Sequence, residues 1–229
     1  MATTSLSRRS FVRVAGLAGG LAALGAPRAT AAADGAEQPP ADGHEALRRL
    51  LAGNLRWARG HARHPHQSGR RRRDVAGGQA PYAVVFSCID SRVPPELVFD
   101  CGLGDLFVVR TGAHALDDVT LGSVEYGPAA TGTPLALVLG HERCGAVHAA
   151  IEPIERHGGA APGHIGAIVR ALEPAYRAAK DRPGDLEDNM VRAQTELTVA
   201  RLRGSSLLRN TLVVGGRYDL DTGRVDLLP

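Results

Sequence analysis

The amino-acid sequence predicts an α/β fold, in which a mostly parallel central β-sheet is flanked by helices. Continuous apolar runs at residues 82–87 and 135–139 are typical of strands that are buried on both faces of a sheet. Longer segments with apolar residues at helical spacing lie between such runs. Because strands that alternate with helices favour parallel pairing, we expect one sheet with helices packed on its faces.

The first segment of the chain has the pattern of an export signal. Residues 7–13 read SRRSFVR, a twin-arginine motif, and an apolar run follows at residues 14–26. Four glycines interrupt this run, which makes it too weak for a stable membrane span. Small residues offer cleavage after Ala31 or Ala33, so we expect residues 1–33 to be a signal peptide. The alternative is a frayed N-terminal helix; the signal predicts a periplasmic, cell-wall or extracellular protein.

The charge of the chain changes sign when this segment is removed. The whole sequence has a formal net charge of +3, which taken alone suggests a nucleic-acid partner. Residues 1–33 contain four arginines and no acidic residue, so the remainder has a formal charge of −1. The mature protein is therefore not basic, and we expect no nucleic-acid partner.

The remainder of the chain is long enough for one domain with a sizeable core. Residues 34–43 read as a solvated linker, and residues 44–229 as the domain. Residues 61–74, rich in His and Arg, read as an exposed loop. The predicted helices comprise residues 44–60, 119–130, 144–157, 165–179 and 186–202. Apolar runs of the same kind at residues 106–109 and 212–214 predict two more buried strands, and residues 218–225 read as a turn into a short final strand.

Candidate metal ligands follow two of the predicted strands. Cys88 comes directly after the first strand, and His141 and Cys144 follow the third. Ligand sites in α/β sheets form beyond the carboxyl ends of parallel strands, so these side chains are expected to meet. Two thiolates and an imidazole favour zinc, and three protein ligands leave a fourth position open, as in catalytic sites. The alternative is a set of core cysteines and a lone buried histidine.

Two further residues near Cys88 carry opposite charges. Asp90 and Arg92 are two positions apart, so both side chains can point into the same crevice. An arginine keeps a neighbouring carboxylate ionised and oriented. The ionised Asp90 could accept a proton from water beside the metal, or displace that water as a fourth metal ligand. A structural salt bridge that tightens the loop is the alternative.

From about residue 46 to its C-terminal end, the chain resembles the β-class carbonic anhydrases. The following segments carry the resemblance: CIDSRVPPELVFD (88–100), GLGDLFVVR (102–110), GSVEYG (122–127), LVLGHERCGAV (137–147) and YDLDTGRV (218–225). The resemblance implies a zinc enzyme that interconverts carbon dioxide and bicarbonate. It also implies a homodimer or homotetramer.

The resemblance also implies roles for individual residues. Cys88, His141 and Cys144 would bind zinc, with Asp90 and Arg92 as the dyad beside the metal. Gln79 matches a glutamine that hydrogen-bonds bicarbonate in one branch of the family. Phe107 and Tyr126 fall on positions that line the apolar substrate pocket.

Departures from the family pattern concern the segments beside the expected site. Ile89 stands where the family often has Ser, and residues 110–114 read RTGAH where it usually has Arg-x-Ala-Gly-Asn. His114 is expected to replace a hydrogen-bonding Asn; the alternative is a proton shuttle. The alternative functions are hydrolysis of carbonyl sulfide or carbon disulfide on the same fold, and a zinc-stabilised binding module without turnover.

Overall fold

The structure, a computed structural model, describes residues 38–156 and 161–229. Within these residues five strands form one sheet in the order β2-β1-β3-β4-β5. The strands are Ala83–Cys88 (β1), Leu106–Thr111 (β2), Leu135–His141 (β3), Leu212–Tyr218 (β4) and Val225–Leu227 (β5). β5 is antiparallel to β4, whereas the other neighbours pair in parallel. The predicted α/β fold is confirmed. The predicted signal peptide lies outside the described residues.

Helices precede, connect and cover these strands. They are Gly43–Ala58 (α1), Gly69–Asp74 (α2), Pro95–Val98 (α3), Asp118–Thr131 (α4), Gly145–Glu155 (α5), Ile165–Ala179 (α6) and Leu186–Arg203 (α7). Asp42, Asp117 and Asp185 cap α1, α4 and α7 by accepting a hydrogen bond from a backbone N–H of the first turn. None of the helices in the described part of the chain combines the length and apolar character that crossing a membrane requires.

The core consists of apolar layers on the two faces of the sheet. Alternate residues of β1 point to opposite faces because side chains along a strand have a period of two. Val85 packs in the layer that contains Leu50 of α1. Val84 packs in the opposite layer, which contains Val124 of α4 and Leu202 of α7. β1 and β3 are buried along their whole length, as their continuous apolar sequences predict.

Two expectations from the sequence need correction. Residues 61–74 are not all loop, because α2 occupies residues 69–74: Ser68 accepts a hydrogen bond from Arg71 N–H at its start, and Arg71 Nε donates to the Leu103 carbonyl at 2.8 Å. β2 has an apolar sequence like that of β1, but it is an edge strand. All six of its residues are only partly buried.

The strand order creates a crevice at the carboxyl edge of the sheet. The chain runs from β1 to β2 on one side of β1 and then to β3 on its other side. This reversal is the place at which open α/β sheets bind ligands. Gly140, next to the end of β3, allows α7 to approach closely: a Cβ there would lie 2.5 Å from Thr195 Oγ1.

Candidate metal centre

Three candidate ligands converge at this crevice. Cys88 is the last residue of β1, His141 is the last of β3, and Cys144 is the residue before α5. All three are buried, and their ligand atoms lie within 4.8 Å of one another. The structure thus brings together the residues that the sequence singled out. The two residues between His141 and Cys144 form a bend, and Cys144 lies at the start of α5.

The two sulfur atoms have the separation that a shared zinc ion requires. Cys88 Sγ and Cys144 Sγ are 3.9 Å apart, and both thiols are free. A disulfide would need about 2.05 Å. Two sulfurs that each lie about 2.3 Å from a tetrahedral zinc are about 3.8 Å apart. The observed distance therefore fits a metal-binding pair.

The imidazole of His141 presents one nitrogen without a partner. Its Nδ1 lies 2.9 Å from the carbonyl oxygen of Glu142, and a carbonyl only accepts, so Nδ1 carries the proton. Nε2 is then an acceptor; it is buried and has no hydrogen-bond partner within the described structure. Buried polar atoms are rarely left unpaired. A backbone carbonyl that fixes the tautomer in this way is typical of a metal-binding histidine.

The thiols of the two cysteines titrate as a coupled pair. Their mutual hydrogen bond and the nearby His141 hold the pKa of Cys88 well below its ordinary value. The same hydrogen bond and burial raise the pKa of Cys144. Cys88 Sγ also accepts a hydrogen bond from the backbone N–H of Ala113 at 3.3 Å. The site thus stabilises a thiolate, the form that binds metals.

Asp90 and Arg92 form a bidentate pair beside the ligands. Arg92 Nε and Nη2 donate to the two carboxylate oxygens at 2.9 and 2.7 Å, which holds the pKa of Asp90 down at about 2. Asp90 Oδ2 lies 3.9 Å from His141 Nε2. In this conformation both Asp90 oxygens face Arg92. A role for Asp90 as fourth metal ligand stays a prediction.

Arg110 is a functional candidate that sequence reasoning missed. Its guanidinium donates to the carbonyl oxygens of Cys88 and Asp90 at 2.7 and 2.6 Å, so one side chain fixes the backbone of a ligand and of the dyad. Arg110 belongs to a segment that carries the family resemblance, and that was the available signal. Its carbonyl partners could not be read from residue spacing.

His114 is buried in a constrained turn behind Cys88. Its Nε2 lies 3.3 Å from Thr195 Oγ1, and its Nδ1 has no partner among the described residues. Burial lowers the pKa of His114 to about 4, so the ring is neutral at physiological pH. Its role in place of a hydrogen-bonding Asn stays a prediction.

The predicted substrate-pocket residues lie away from the ligands of their own chain. Phe107 pairs with Val84, whereas Cys88 pairs with Thr111 four residues further along, a separation of about 13 Å. Phe107 and Tyr126 pack edge to face at 6.0 Å and line a groove of about 410 Å³ beside β2. Gln79 is exposed in the loop before β1. The structure groups the two aromatic residues but does not bring them to the metal ligands.

Comparisons with known proteins agree with this geometry. A family model described as "Carbonic anhydrase" matches residues 83–225. The chain is 40% identical over 194 residues to "Carbonic anhydrase 2" of Mycobacterium tuberculosis, which covers 80% of this chain and 91% of that protein. Among solved structures, the β-carbonic anhydrase of Coccomyxa in complex with acetazolamide superposes with a TM-score of 0.60 at 26% identity and covers 80% of this chain and 86% of that chain.

A fungal structure shows the same fold at lower identity. One of two tetrameric β-carbonic anhydrases from Sordaria macrospora superposes with a TM-score of 0.62 at 24% identity, and covers 80% of this chain and 96% of that one. The family match spans most of the domain and both ligand segments. The chain belongs to the carbonic anhydrase family and has the fold of its β class.

Proposed function

We propose that the protein catalyses the reversible hydration of carbon dioxide with one zinc ion bound by Cys88, His141 and Cys144. One observation carries the metal assignment: the buried His141 Nε2, which has no hydrogen-bond partner among the described residues, lies in a cluster with two sulfurs that are 3.9 Å apart. This donor set of nitrogen and sulfur favours zinc over the other common metals. When bound at such a site, zinc lowers the pKa of a bound water and so supplies a nucleophile near neutral pH.

The residues around the ligands orient the reactants. With a pKa of about 2, Asp90 is ionised at all physiological pH values and is a weak base. Its carboxylate therefore acts mainly as a fixed hydrogen-bond acceptor, which orients a donor group beside the metal ligands. Arg92 keeps this carboxylate ionised, and Arg110 fixes the backbone on which it stands.

Zinc content and turnover test this proposal together. We expect one zinc per chain after dialysis, and stopped-flow hydration of carbon dioxide that is lost on chelation and restored by zinc. A protein that holds zinc without accelerating hydration would be the binding module considered above. Turnover of carbonyl sulfide or carbon disulfide without hydration of carbon dioxide would favour the alternative hydrolase.

We further propose that two copies of the chain pair along β2. β2 is an edge strand, and the groove beside it exposes Val119 and Tyr126. Unpaired edges with apolar surroundings are sites of strand pairing, and two-fold symmetry is the commonest arrangement of homo-oligomers. The Sordaria macrospora enzymes are described as tetrameric, which supports an oligomer here.

Such pairing would explain the position of the substrate-pocket residues. A two-fold axis between two β2 strands makes them antiparallel, so the start of one strand lies beside the end of the other. Phe107 of one copy then lies near Thr111 of its partner, whose own neighbour on β1 is Cys88. In this arrangement Gln79, Phe107 and Tyr126 line the carbon dioxide site of the other chain.

Export by the twin-arginine route is also proposed. The motif at residues 7–13 supports it, and this route carries proteins that have already folded. A zinc enzyme would then acquire its metal before export. Fractionation of cells that express the full chain tests this, with Arg8→Lys/Arg9→Lys as the variant expected to stay in the cytoplasm.

A further inference from the structure

The loop between two metal ligands carries the carbonyl that orients Arg92. Besides Asp90, the Arg92 guanidinium donates from Nη2 to the carbonyl oxygen of Arg143 at 3.0 Å. Arg143 lies between His141 and Cys144 in the sequence. The position of one backbone carbonyl therefore helps to fix the guanidinium, and through it the Asp90 carboxylate.

This carbonyl belongs to a residue with an unfavourable backbone conformation. Arg143 has a φ of 48°, in the left-handed region that favours glycine. A residue with a Cβ stays in this region only when its surroundings hold it there. Contacts of the Arg143 side chain are therefore expected to affect the position of its carbonyl.

The C-terminal turn between β4 and β5 provides these contacts. Arg143 Nη1 and Nη2 donate to the two carboxylate oxygens of Asp221 at 2.9 and 2.7 Å. The turn is itself ordered, because Asp219 Oδ1 accepts from the backbone N–H groups of Asp221 and Thr222. Two parallel hydrogen bonds between a planar guanidinium and a carboxylate fix both groups in orientation.

The residue before Arg143 is attached to the same segment. Glu142 donates its backbone N–H to the carbonyl of Tyr218 at 3.0 Å. Its side-chain Oε2 accepts from the backbone N–H of Leu220 at 3.2 Å. The ligand loop and the C-terminal turn are thus joined through two consecutive residues, Glu142 and Arg143.

We infer that Arg143 and Asp221 are positioning residues, which hold the Arg143 carbonyl against Arg92 and so keep the Asp90–Arg92 pair in place. The inference rests on the role proposed above for that pair. The side chains of Arg143 and Asp221 are 51% and 70% exposed, so their pairing adds little to the stability of the fold. The ion pair instead affects the geometry of the site.

Removal of the Asp221 carboxylate tests the first part of this inference. In Asp221→Ala we expect turnover to fall about three- to tenfold while zinc content stays at one per chain, since a displacement of about 1 Å can cost up to a hundredfold. Asp181→Ala is the matched control, because Asp181 is also exposed and pairs with a basic side chain, that of Lys180, at 2.7 Å. We expect its turnover to be unchanged. Equal turnover in Asp221→Ala and the wild type would overturn the inference.

Two substitutions at Arg143 separate the backbone from the side chain. Arg143→Ala loses the ion pair and keeps the strain, whereas Arg143→Gly loses the ion pair and removes the strain. We expect Arg143→Gly to recover most of the turnover that Arg143→Ala loses, and Asp221→Ala to have no further effect in the Gly background. Equal losses in both variants, together with full turnover in Asp221→Ala, would mean that the guanidinium itself acts in the reaction, which contradicts a positioning role.

Crystal structures of the variants provide a result that does not depend on turnover. In Asp221→Ala and Arg143→Ala we expect the hydrogen bond from Arg92 Nη2 to the carbonyl of residue 143 to be lost, and in Arg143→Gly to be kept. An intact hydrogen bond in all three variants would refute the inference. If zinc-loaded wild-type protein did not hydrate carbon dioxide, the proposed function would fail, and these structures would still decide whether the ion pair positions Arg92.

Discussion

The carboxyl edge of the sheet, where the candidate metal ligands lie, differs from the groove beside β2 in how much of a functional site it contains within one chain. At the ligand edge, Cys88 and His141 end two buried central strands, and Arg92 and Arg110 fix the intervening backbone. Along β2, apolar side chains face solvent from an edge strand. The difference is the one that the proposed pairing along β2 would produce: one chain brings all three candidate metal ligands together, and a second copy would supply the apolar residues of the site.

Loss of a ligand should have the largest effect. In His141→Ala or Cys144→Ser we expect zinc to be lost on dialysis and hydration to fall to background, because two remaining ligands cannot hold the ion. Metal analysis and stopped-flow hydration measure both quantities. His148→Ala, at an exposed histidine on α5, is the control and should keep its zinc. A full zinc content in either ligand variant would refute the ligand assignment.

Loss of the Asp90 charge should rank second and should leave the metal in place. Asp90→Asn preserves the shape of the side chain but removes its acceptor charge, and we expect turnover to fall about a hundredfold or more with one zinc per chain retained. Asp226→Asn, at an exposed residue of β5, is the control. Wild-type turnover in Asp90→Asn would show that the pair with Arg92 is only structural.

A charge placed in the groove beside β2 should affect pairing and turnover without affecting the metal ligands. In Tyr126→Arg we expect the protein to become monomeric and turnover to fall about tenfold or more, while zinc content is unchanged, because a buried unpaired charge disfavours the interface. Light scattering and metal analysis measure these outcomes. Ile165→Arg is the matched control, since Ile165 is 51% exposed and Tyr126 is 53% exposed. A monomer with full turnover would mean that one chain contains the whole site.

The smallest effect is the contribution of His114 to the pH dependence of the free energy of unfolding. The pKa of His114 lies near 4 in the folded protein and near 6.5 when unfolded, so the unfolded state binds the proton first as pH falls. This contribution to stability is complete above pH 6.5 and declines down to pH 4, with about 2 kcal/mol lost by pH 5. Urea unfolding of zinc-free wild type and His114→Asn at pH 7.5 and 5 should show a smaller decline in the variant. Equal declines would contradict the account of His114.

The sequence predicted the ligand edge better than the rest of the site. Cys88, His141 and Cys144 could be found because strand ends in a parallel sheet meet at one edge, whatever the loops do. The edge position of β2 could not, since its apolar run looks like that of β1 and only the strand order distinguishes them.

Contacts between side chains and backbone carbonyls could not be predicted from the sequence either. Arg110 and Arg143 are visible in the sequence, but their partners depend on which carbonyls the folded loops present. The same holds for α2, whose helix depends on the Ser68 cap and on a contact with the distant Leu103. The sequence patterns predict elements and ligand sets; they do not predict the individual hydrogen bonds between side chains and the backbone.

A mixed dimer tests the central comparison most directly. One chain carries Cys144→Ser and keeps its groove, and the other carries Phe107→Ala and keeps its zinc ligands; two affinity tags isolate the heterodimer. If each site combines the ligands of one chain with the groove of the other, only one of its two sites is intact, and hydration should reach about half the wild-type rate. Each parent homodimer should be nearly inactive. A heterodimer no faster than the mean of its parents would contradict a site shared between two copies.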